Sequence, residues 1–232
     1  MKLLSIDCSA SPASAAVTED GKVISSAFVN IKVTHSQTLM TLVEAVLDSA
    51  FLTLSDIDGF AVSAGPGSFT GVRIGISAIK GMAEPLKKPC YAVSTLRSMA
   101  ENIYEENVII NAVMDARCEQ YYNALFIRRD GKLIRLCDDR AILHDELVSE
   151  IDILCKEHDC EFITVGDGAD LFCEKSGTNP IDEQRKYQNA ASVGLSVFFD
   201  KTDKTECEKL NPVYLRLPQA ERELKRRKEE KL

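Results

Sequence analysis

"AGPGSFTGVRIGISAIKGMAE", residues 64–84, opens with a glycine-rich turn and continues with the periodicity of a helix. Such a turn often binds phosphate, because free N–H groups at a helix N-terminus attract anions. This turn does not match a Walker loop, since Val72 and Arg73 follow it where Lys and Ser or Thr are required. The role of the turn therefore depends on what its helix contacts.

The predicted helix has apolar or small residues on more than one face, whereas a surface helix needs only one apolar stripe. One face is predicted to pack on a sheet, a second carries small and apolar residues, and a third faces water. The sheet-facing residues are Val72, Ile76, Ile79 and Ala83. The second face consists of Gly71, Ile74, Ala78 and Met82, and the water-facing residues are Arg73, Ser77, Lys80 and Glu84. Because the second face is small and apolar, we expect another part of this chain or a second protein to pack against it.

Glycines inside this helix point to a close backbone approach. Gly71, Gly75 and Gly81 each cost roughly 1 kcal/mol relative to Ala. We predict that this helix and the one before it pack against the matching pair of a second subunit; burial within the chain itself is the alternative. The predicted interface residues are Met40, Leu47, Ser68, Phe69, Thr70, Gly71, Arg73, Ile74, Gly75, Ser77, Ala78 and Met82.

The chain describes one pattern twice. In residues 2–29 an apolar strand ending in Asp7 is followed by a turn and a strand–DG–strand hairpin, and residues 108–137 repeat this order with Asp115. Each hairpin precedes a helix, a strand, a glycine turn and a second helix. We expect an α/β protein built as a tandem of two ribonuclease-H-like lobes, the architecture of the actin, sugar-kinase and heat-shock-ATPase group. The predicted lobes are residues 1–106 and 107–232, the second ending in an extended link at 211–216 and a charged helix.

Two polar residues are candidates for contact with a ligand. Asp7 ends the first strand, but the loop "CSASPAS" after it has no glycine and contains Pro12, so it is poorly suited to phosphate. An Asp that accepts turn N–H bonds is the alternative. His35 lacks a second histidine one turn later, because position 39 is Leu, and Thr34 with Gln37 predicts a capping box. We predict no catalytic residue and no metal site.

The charge, the apolar runs and the cysteines of the chain argue against several classes of function. A net charge of -8 opposes independent binding to nucleic acid or to an anionic membrane. The first apolar run is too short for a signal peptide or a membrane span, so we expect a cytoplasmic protein. Eight scattered cysteines without CxxC spacing indicate reduced, mostly buried thiols.

The turn-and-helix segment "GPGSFTGVRIGISAIKG" is very similar to the signature of the TsaB family, also called YeaZ. "LLSIDCS", "HSQTLMTLVEAVL", "VSTLRSMA", "MDARCEQYYNALF" and "NPVYLR" resemble other blocks of that family in its order. Residues 140–205 match only in pattern. The glycine-turn segment is the specific part of the resemblance.

The resemblance implies a non-catalytic subunit of the bacterial machinery that installs threonylcarbamoyladenosine next to the anticodon of tRNAs reading codons that begin with A. Its implied partners are a catalytic TsaD-like paralogue, which holds the metal, and a TsaE-like ATPase. Contact with tRNA is expected only through the complex, and the chain alone could be a homodimer. No cofactor is expected on this chain alone, although ATP or ADP could bind at the junction of the complex.

Two other functions stay open. One is a nucleotide-dependent enzyme of the same fold, a kinase or a hydrolase. The other is direct RNA binding, for which the support is the tail from Arg216 to Lys231, with seven Lys or Arg against four Glu.

Overall fold

The computed structural model describes residues 1–117 and 119–216. The predicted charged helix at 219–232 lies outside the described residues, as do all the basic residues of the tail except Arg216.

A five-stranded sheet organises the first half of the chain, with strand order β3-β2-β1-β4-β5. Strand β2 runs antiparallel to β1 and β3, whereas β4 runs parallel to β1 and β5. The elements are β1 (Lys2–Asp7), β2 (Ala13–Glu19), β3 (Lys22–Val29), α1 (His35–Ser49), a short 3₁₀ helix (Leu54–Asp56), β4 (Gly59–Gly65), α2 (Phe69–Leu86), β5 (Cys90–Ser94) and α3 (Thr95–Ala100).

The second half repeats this arrangement. Its sheet has the order β10-β6-β7-β8, and β9 pairs with the other part of β7. The predicted order of three strands, helix, strand and helix is confirmed, with β9 as an additional strand. The elements are β6 (Ile109–Asp115), β7 (Gln120–Arg129), β8 (Lys132–Arg135), β9 (Arg140–Leu143), α4 (His144–His158), β10 (Phe162–Val165), α5 (Ala169–Ser176), α6 (Glu183–Lys186), α7 (Ala190–Asp200) and a 3₁₀ helix (Cys207–Lys209).

The two predicted DG hairpins have the same geometry. Asp20 and Gly21 have φ values of 48° and 77°, and Asp130 and Gly131 have φ values of 52° and 71°. Positive φ at both central residues is the condition for a two-residue turn whose twist matches that of the strands. The DG dipeptides in the sequence therefore correspond to the backbone geometry that these two-residue turns require.

One face of each sheet is covered by helices from its own half. Helices α1 and α2 pack on the first sheet, where Leu39, Val43, Val72 and Ile79 join the core. Helices α4 and α5 cover the second sheet in the same way. The face of α2 that was predicted to meet a sheet, Val72, Ile76, Ile79 and Ala83, is buried as expected.

The opposite faces are covered by an exchange of helices between the halves. Helix α7 packs on the first sheet through Val193 and Val197, and its first residue, Ala190, hydrogen bonds to Ser5 and Ser14. Helix α3 packs on the second sheet, beside β6 and β7. The predicted boundary between the two lobes at 106/107 stays a prediction. Each sheet has one face covered by a helix from the other half of the chain.

Within the described parts of the chain, none of the helices combines the length and apolar character that crossing a membrane would require.

Candidate functional site

The glycine turn forms the joint between β4 and α2, and its backbone is already engaged. The Ser68 amide donates to the Ser9 carbonyl at 2.6 Å, and the Gly71 amide donates to the Ser68 hydroxyl at 3.2 Å, which caps α2. A side chain on Gly67 would place its Cβ 2.4 Å from the Ser9 carbonyl oxygen. The turn is therefore fitted to the loop after β1, and these two amides are not available to phosphate.

Gly71 and Gly75, both predicted to meet a second subunit, lie against the chain's own first sheet. A Cβ on Gly71 would lie 1.9 Å from the Cys8 carbonyl oxygen, and one on Gly75 would lie 3.3 Å from Val62. Gly71 and Gly75 do mark a close approach, and the approaching groups are the Cys8 carbonyl after β1 and the Val62 side chain of β4. Their assignment to a partner interface stays a prediction.

Leu47 and Met82, also predicted at the interface, are buried in the single chain, and their role in an interface stays a prediction. Both side chains are 7% exposed and belong to the core between α1, α2 and the first sheet. The other predicted interface residues are at least partly exposed, and their role stays a prediction. They are Met40, Ser68, Phe69, Thr70, Arg73, Ile74, Ser77 and Ala78.

Asp7 is buried at the end of β1, and its carboxylate is satisfied by its own chain. One oxygen accepts from the Ser9 amide at 2.8 Å and from the Ser9 hydroxyl at 2.7 Å, and the other accepts from the Ser63 hydroxyl. Burial raises the pKa of Asp7, while the bonds from Ser63 and Ser9 oppose that rise. The alternative interpretation, a strand-end Asp that orders its turn, describes this geometry.

His35 begins α1 and lies beside the glycine turn. Its Nε2 is 3.3 Å from the Ser11 carbonyl oxygen, and its Nδ1 would be 3.2 Å from a Cβ on Gly71. Thr34 is the N-cap residue, but its side chain makes no capping bond, so the predicted capping box with Gln37 is wrong. The Thr34 carbonyl accepts from the Gln37 amide instead. Leu39, one turn after His35, is in the core.

A cavity of about 1160 Å³ lies between the two halves, next to the glycine turn. His35, Asp115 and Asp167 contribute to its walls, whereas Asp7 lies behind them, out of contact with the cavity. In the described residues, no group of three or more His, Cys, Asp or Glu side chains is arranged to hold a metal ion.

Asp167 is a cavity residue that the sequence analysis did not identify. Burial raises the pKa of Asp167 to about 6, and the charges of Asp115 and Asp7 add to this rise. A hydrogen bond of 2.8 Å from the side-chain amide of Gln188 acts in the opposite direction and lowers the pKa. The detectable signal was an acidic residue inside the glycine turn of the second half, "VGDGA".

The pKa of Asp167 predicts a pH-dependent stability. A carboxyl whose pKa is higher in the folded state stabilises the fold at acidic pH, and this contribution is lost as pH rises from about 4 to about 6. Asp167→Asn keeps the acceptor for Gln188 without the charge, so it should raise the free energy of unfolding at pH 7.5 by up to about 3 kcal/mol. Thermal melts from pH 4 to 8 should show a gain that disappears toward pH 4. A gain of equal size at both ends would contradict the assigned pKa.

Residues 211–216, which we call the strap, cross the cavity from one half to the other. The Val213 amide donates to the Ala64 carbonyl at 2.7 Å, and the Tyr214 ring stacks on Phe69 with centroids 4.5 Å apart. Arg73 donates from Nε to the Tyr214 hydroxyl at 2.7 Å. Arg216 donates to the Ala116 carbonyl at 2.5 Å, in the second half. The strap therefore ties the glycine turn to the loop after β6.

Comparison with known proteins places the chain in a family. The family model described as "TsaD: tRNA N6-adenosine threonylcarbamoyltransferase" matches residues 28–221. The "tRNA threonylcarbamoyladenosine biosynthesis protein TsaB" of Escherichia coli is 34% identical over 170 residues, 72% of each chain. The protein of the same name from Bacillus subtilis is 29% identical over 225 residues, 95% of this chain and 96% of that one.

A solved structure agrees with these relatives in fold. YeaZ from Pseudomonas aeruginosa superposes with a TM-score of 0.77 at 28% identity, covering 92% of this chain and 99% of that chain. The glycine turn, the strand-end Asp7 and the two repeated sheets thus occur in a chain that belongs to the TsaB (YeaZ) family.

Proposed function

We propose that this chain is the non-catalytic dimerisation subunit of the complex that forms threonylcarbamoyladenosine next to the anticodon of tRNAs reading codons that begin with A. It pairs with a TsaD-like catalytic paralogue and activates it, and a TsaE-like ATPase joins the pair. The chain reaches tRNA only through the complex, and alone it can form a homodimer. Nucleotide, ATP or ADP, binds at the junction of the complex and not on this chain by itself.

The observation that supports this proposal best is a group of exposed or partly exposed apolar residues on and beside α1 and α2. Met40 on α1 is 45% exposed, and Ile74 and Ala78 on α2 are only partly buried. Ile31 and Val33, just before α1, are exposed as well. We call these five residues the α1–α2 face. An apolar surface of this kind is typical of a protein contact where its residues are contiguous.

The absence of a catalytic role is supported by how the candidate polar groups are used. Three donors from this chain already occupy the Asp7 carboxylate, and the position one turn after His35 holds the core residue Leu39. A metal-binding helix would need a second ligand on the same face at that position.

A nucleotide-dependent enzyme of the same fold, a kinase or a hydrolase, is the second candidate. The cavity of about 1160 Å³ favours it, because that volume could hold a nucleotide-sized ligand and its wall includes Asp115 and Asp167. The engaged amides of the glycine turn weigh against it.

A reconstitution experiment separates the two candidates. The purified chain alone should neither hydrolyse ATP nor modify tRNA, and product should form when TsaD, TsaE and the adenylate-forming enzyme are added. Both ATP turnover and modified nucleoside would be measured, with a reaction lacking only this chain as the control. ATP turnover by the chain alone that Asp7→Ala removes would support the enzyme instead, as would full product formation without the chain.

A further inference from the structure

Two cysteines far apart in sequence lie close together where residues 205–207 join the first sheet. Cys90 begins β5, and its amide and carbonyl exchange hydrogen bonds of 3.0 and 2.8 Å with Thr205. Cys207, two residues further on, packs against the same core cluster that contains Cys90. Its thiol also donates to the Lys80 carbonyl at 3.6 Å. A thiol from the start of β5 and a thiol from the segment before the strap are thus neighbours in the core of the first half.

The two thiols differ in exposure. Cys90 is fully buried, and Cys207 is only partly buried. Burial, followed by the charge and the hydrogen bond of the neighbouring Cys207, raises the pKa of Cys90 to about 12. Its burial shields Cys90 from an oxidant in solvent, whereas Cys207 is partly accessible. An oxidant from solvent therefore meets Cys207 first.

We propose that Cys90 and Cys207 form a reversible disulfide when the protein meets hydrogen peroxide. The Cys207 sulfur attacks one peroxide oxygen and breaks the O–O bond, which gives a sulfenic acid on Cys207 and releases one water. The Cys90 sulfur then attacks the Cys207 sulfur and displaces the hydroxyl as a second water. Two thiols have lost two electrons in total, and one peroxide has been reduced to two waters. A dithiol reductant returns the two electrons and restores both thiols.

The disulfide would act on the strap, because Cys207 lies only four residues before Asn211. The segment between them is held to α2 through the bond from Lys80 Nζ to the Glu208 carbonyl at 3.2 Å. A covalent bond from Cys207 to β5 would anchor the strap at its start, next to its contacts with Phe69 and Arg73. The pair is thus a redox site that controls how firmly the strap covers the cavity, and it does not depend on the proposed partner role.

The test treats the full chain with hydrogen peroxide, alkylates the remaining thiols and maps peptides without reduction. We expect a linked peptide pair containing Cys90 and Cys207 that dithiothreitol separates, and a melting temperature raised by about 5–10 °C because a long loop has been closed. Hydrogen exchange of residues 205–216 should slow in the oxidised protein. A variant with Cys155→Ser and Cys160→Ser removes another neighbouring pair of thiols and should keep the shift.

Two single variants test the order of the steps. Cys90→Ser should accumulate the sulfenic acid on Cys207, which dimedone traps, and Cys207→Ser should leave Cys90 unreacted. If Cys207→Ser folds poorly, Cys207→Ala replaces it. Overoxidation of Cys207 without a link in the parent protein would overturn the proposal, as would both thiols remaining free at a peroxide excess.

Discussion

Ala78→Arg should leave the isolated chain folded, with a melting temperature within a few degrees of the parent, and should abolish its association with a TsaD-like partner. Ala78 lies on the partly exposed side of α2, one turn beyond Ile74. An arginine there can extend into solvent in the free chain, where such changes usually cost no more than about 0.5 kcal/mol. A desolvated, unpaired charge at an interface costs several kcal/mol, so the affinity should fall by more than about a hundredfold.

Size-exclusion chromatography of each variant with TsaD, beside a thermal melt of the variant alone, gives the result. Glu84→Arg is the matched control, because Glu84 is exposed on the water-facing side of the same helix and its arginine should not impair co-elution. Loss of tRNA modification in the reconstituted set should accompany loss of co-elution. Parental affinity for Ala78→Arg would place the partner elsewhere, and unfolding of the free variant would show that Ala78 belongs to the internal core.

Gly71→Ala should lower the melting temperature by about 10 °C, a large effect for a single added methyl group. The new Cβ would lie 1.9 Å from the Cys8 carbonyl oxygen, a backbone atom that cannot move aside without shifting the end of β1. The chain must displace α2 or that loop, which we expect to cost about 3–5 kcal/mol of unfolding free energy.

Gly81→Ala is the control for this prediction on the same helix. Gly81 is exposed, and nothing lies within 4 Å of the Cβ that would be added. The substitution should raise the free energy of unfolding by up to about 1 kcal/mol, since Ala favours helix over Gly. Differential scanning calorimetry of both variants would show shifts of opposite sign. A stabilised Gly71→Ala variant would mean that α2 does not approach Cys8 so closely in solution.

Local sequence signals predicted many of the elements well. Helix α4 coincides with the whole of "HDELVSEIDILCKEH", and both DG turns form tight hairpins. These features depend on residues close together in the chain, where periodicity and turn chemistry act directly. Strand β9 was missed because its four residues are too few to show a period.

The features of the site that the sequence did not reveal are contacts between distant residues. Gly71 and Gly75 were correctly taken as signs of a close approach, whereas the same expectation for Gly81 was wrong, since nothing lies within 4 Å of its added Cβ. Nothing local says that the group approaching Gly71 is the Cys8 carbonyl. Nor does the segment "NPVYLR" show by itself that Tyr214 stacks on Phe69, or that Arg216 reaches the loop at 116. Such pairings follow from the topology, and a single sequence shows them only where an internal repeat exposes them.

The exchange of helices has a consequence for synthesis on the ribosome. All five strands of the first sheet are complete once residue 94 has been made, but α7, which covers one of its faces, begins only at Ala190. About a hundred residues must therefore be translated while Leu3, Ala61 and Val93 still lack that cover, which at 5–20 residues per second takes roughly 5–20 s. During this interval the nascent chain presents an apolar sheet face of the kind that chaperones bind.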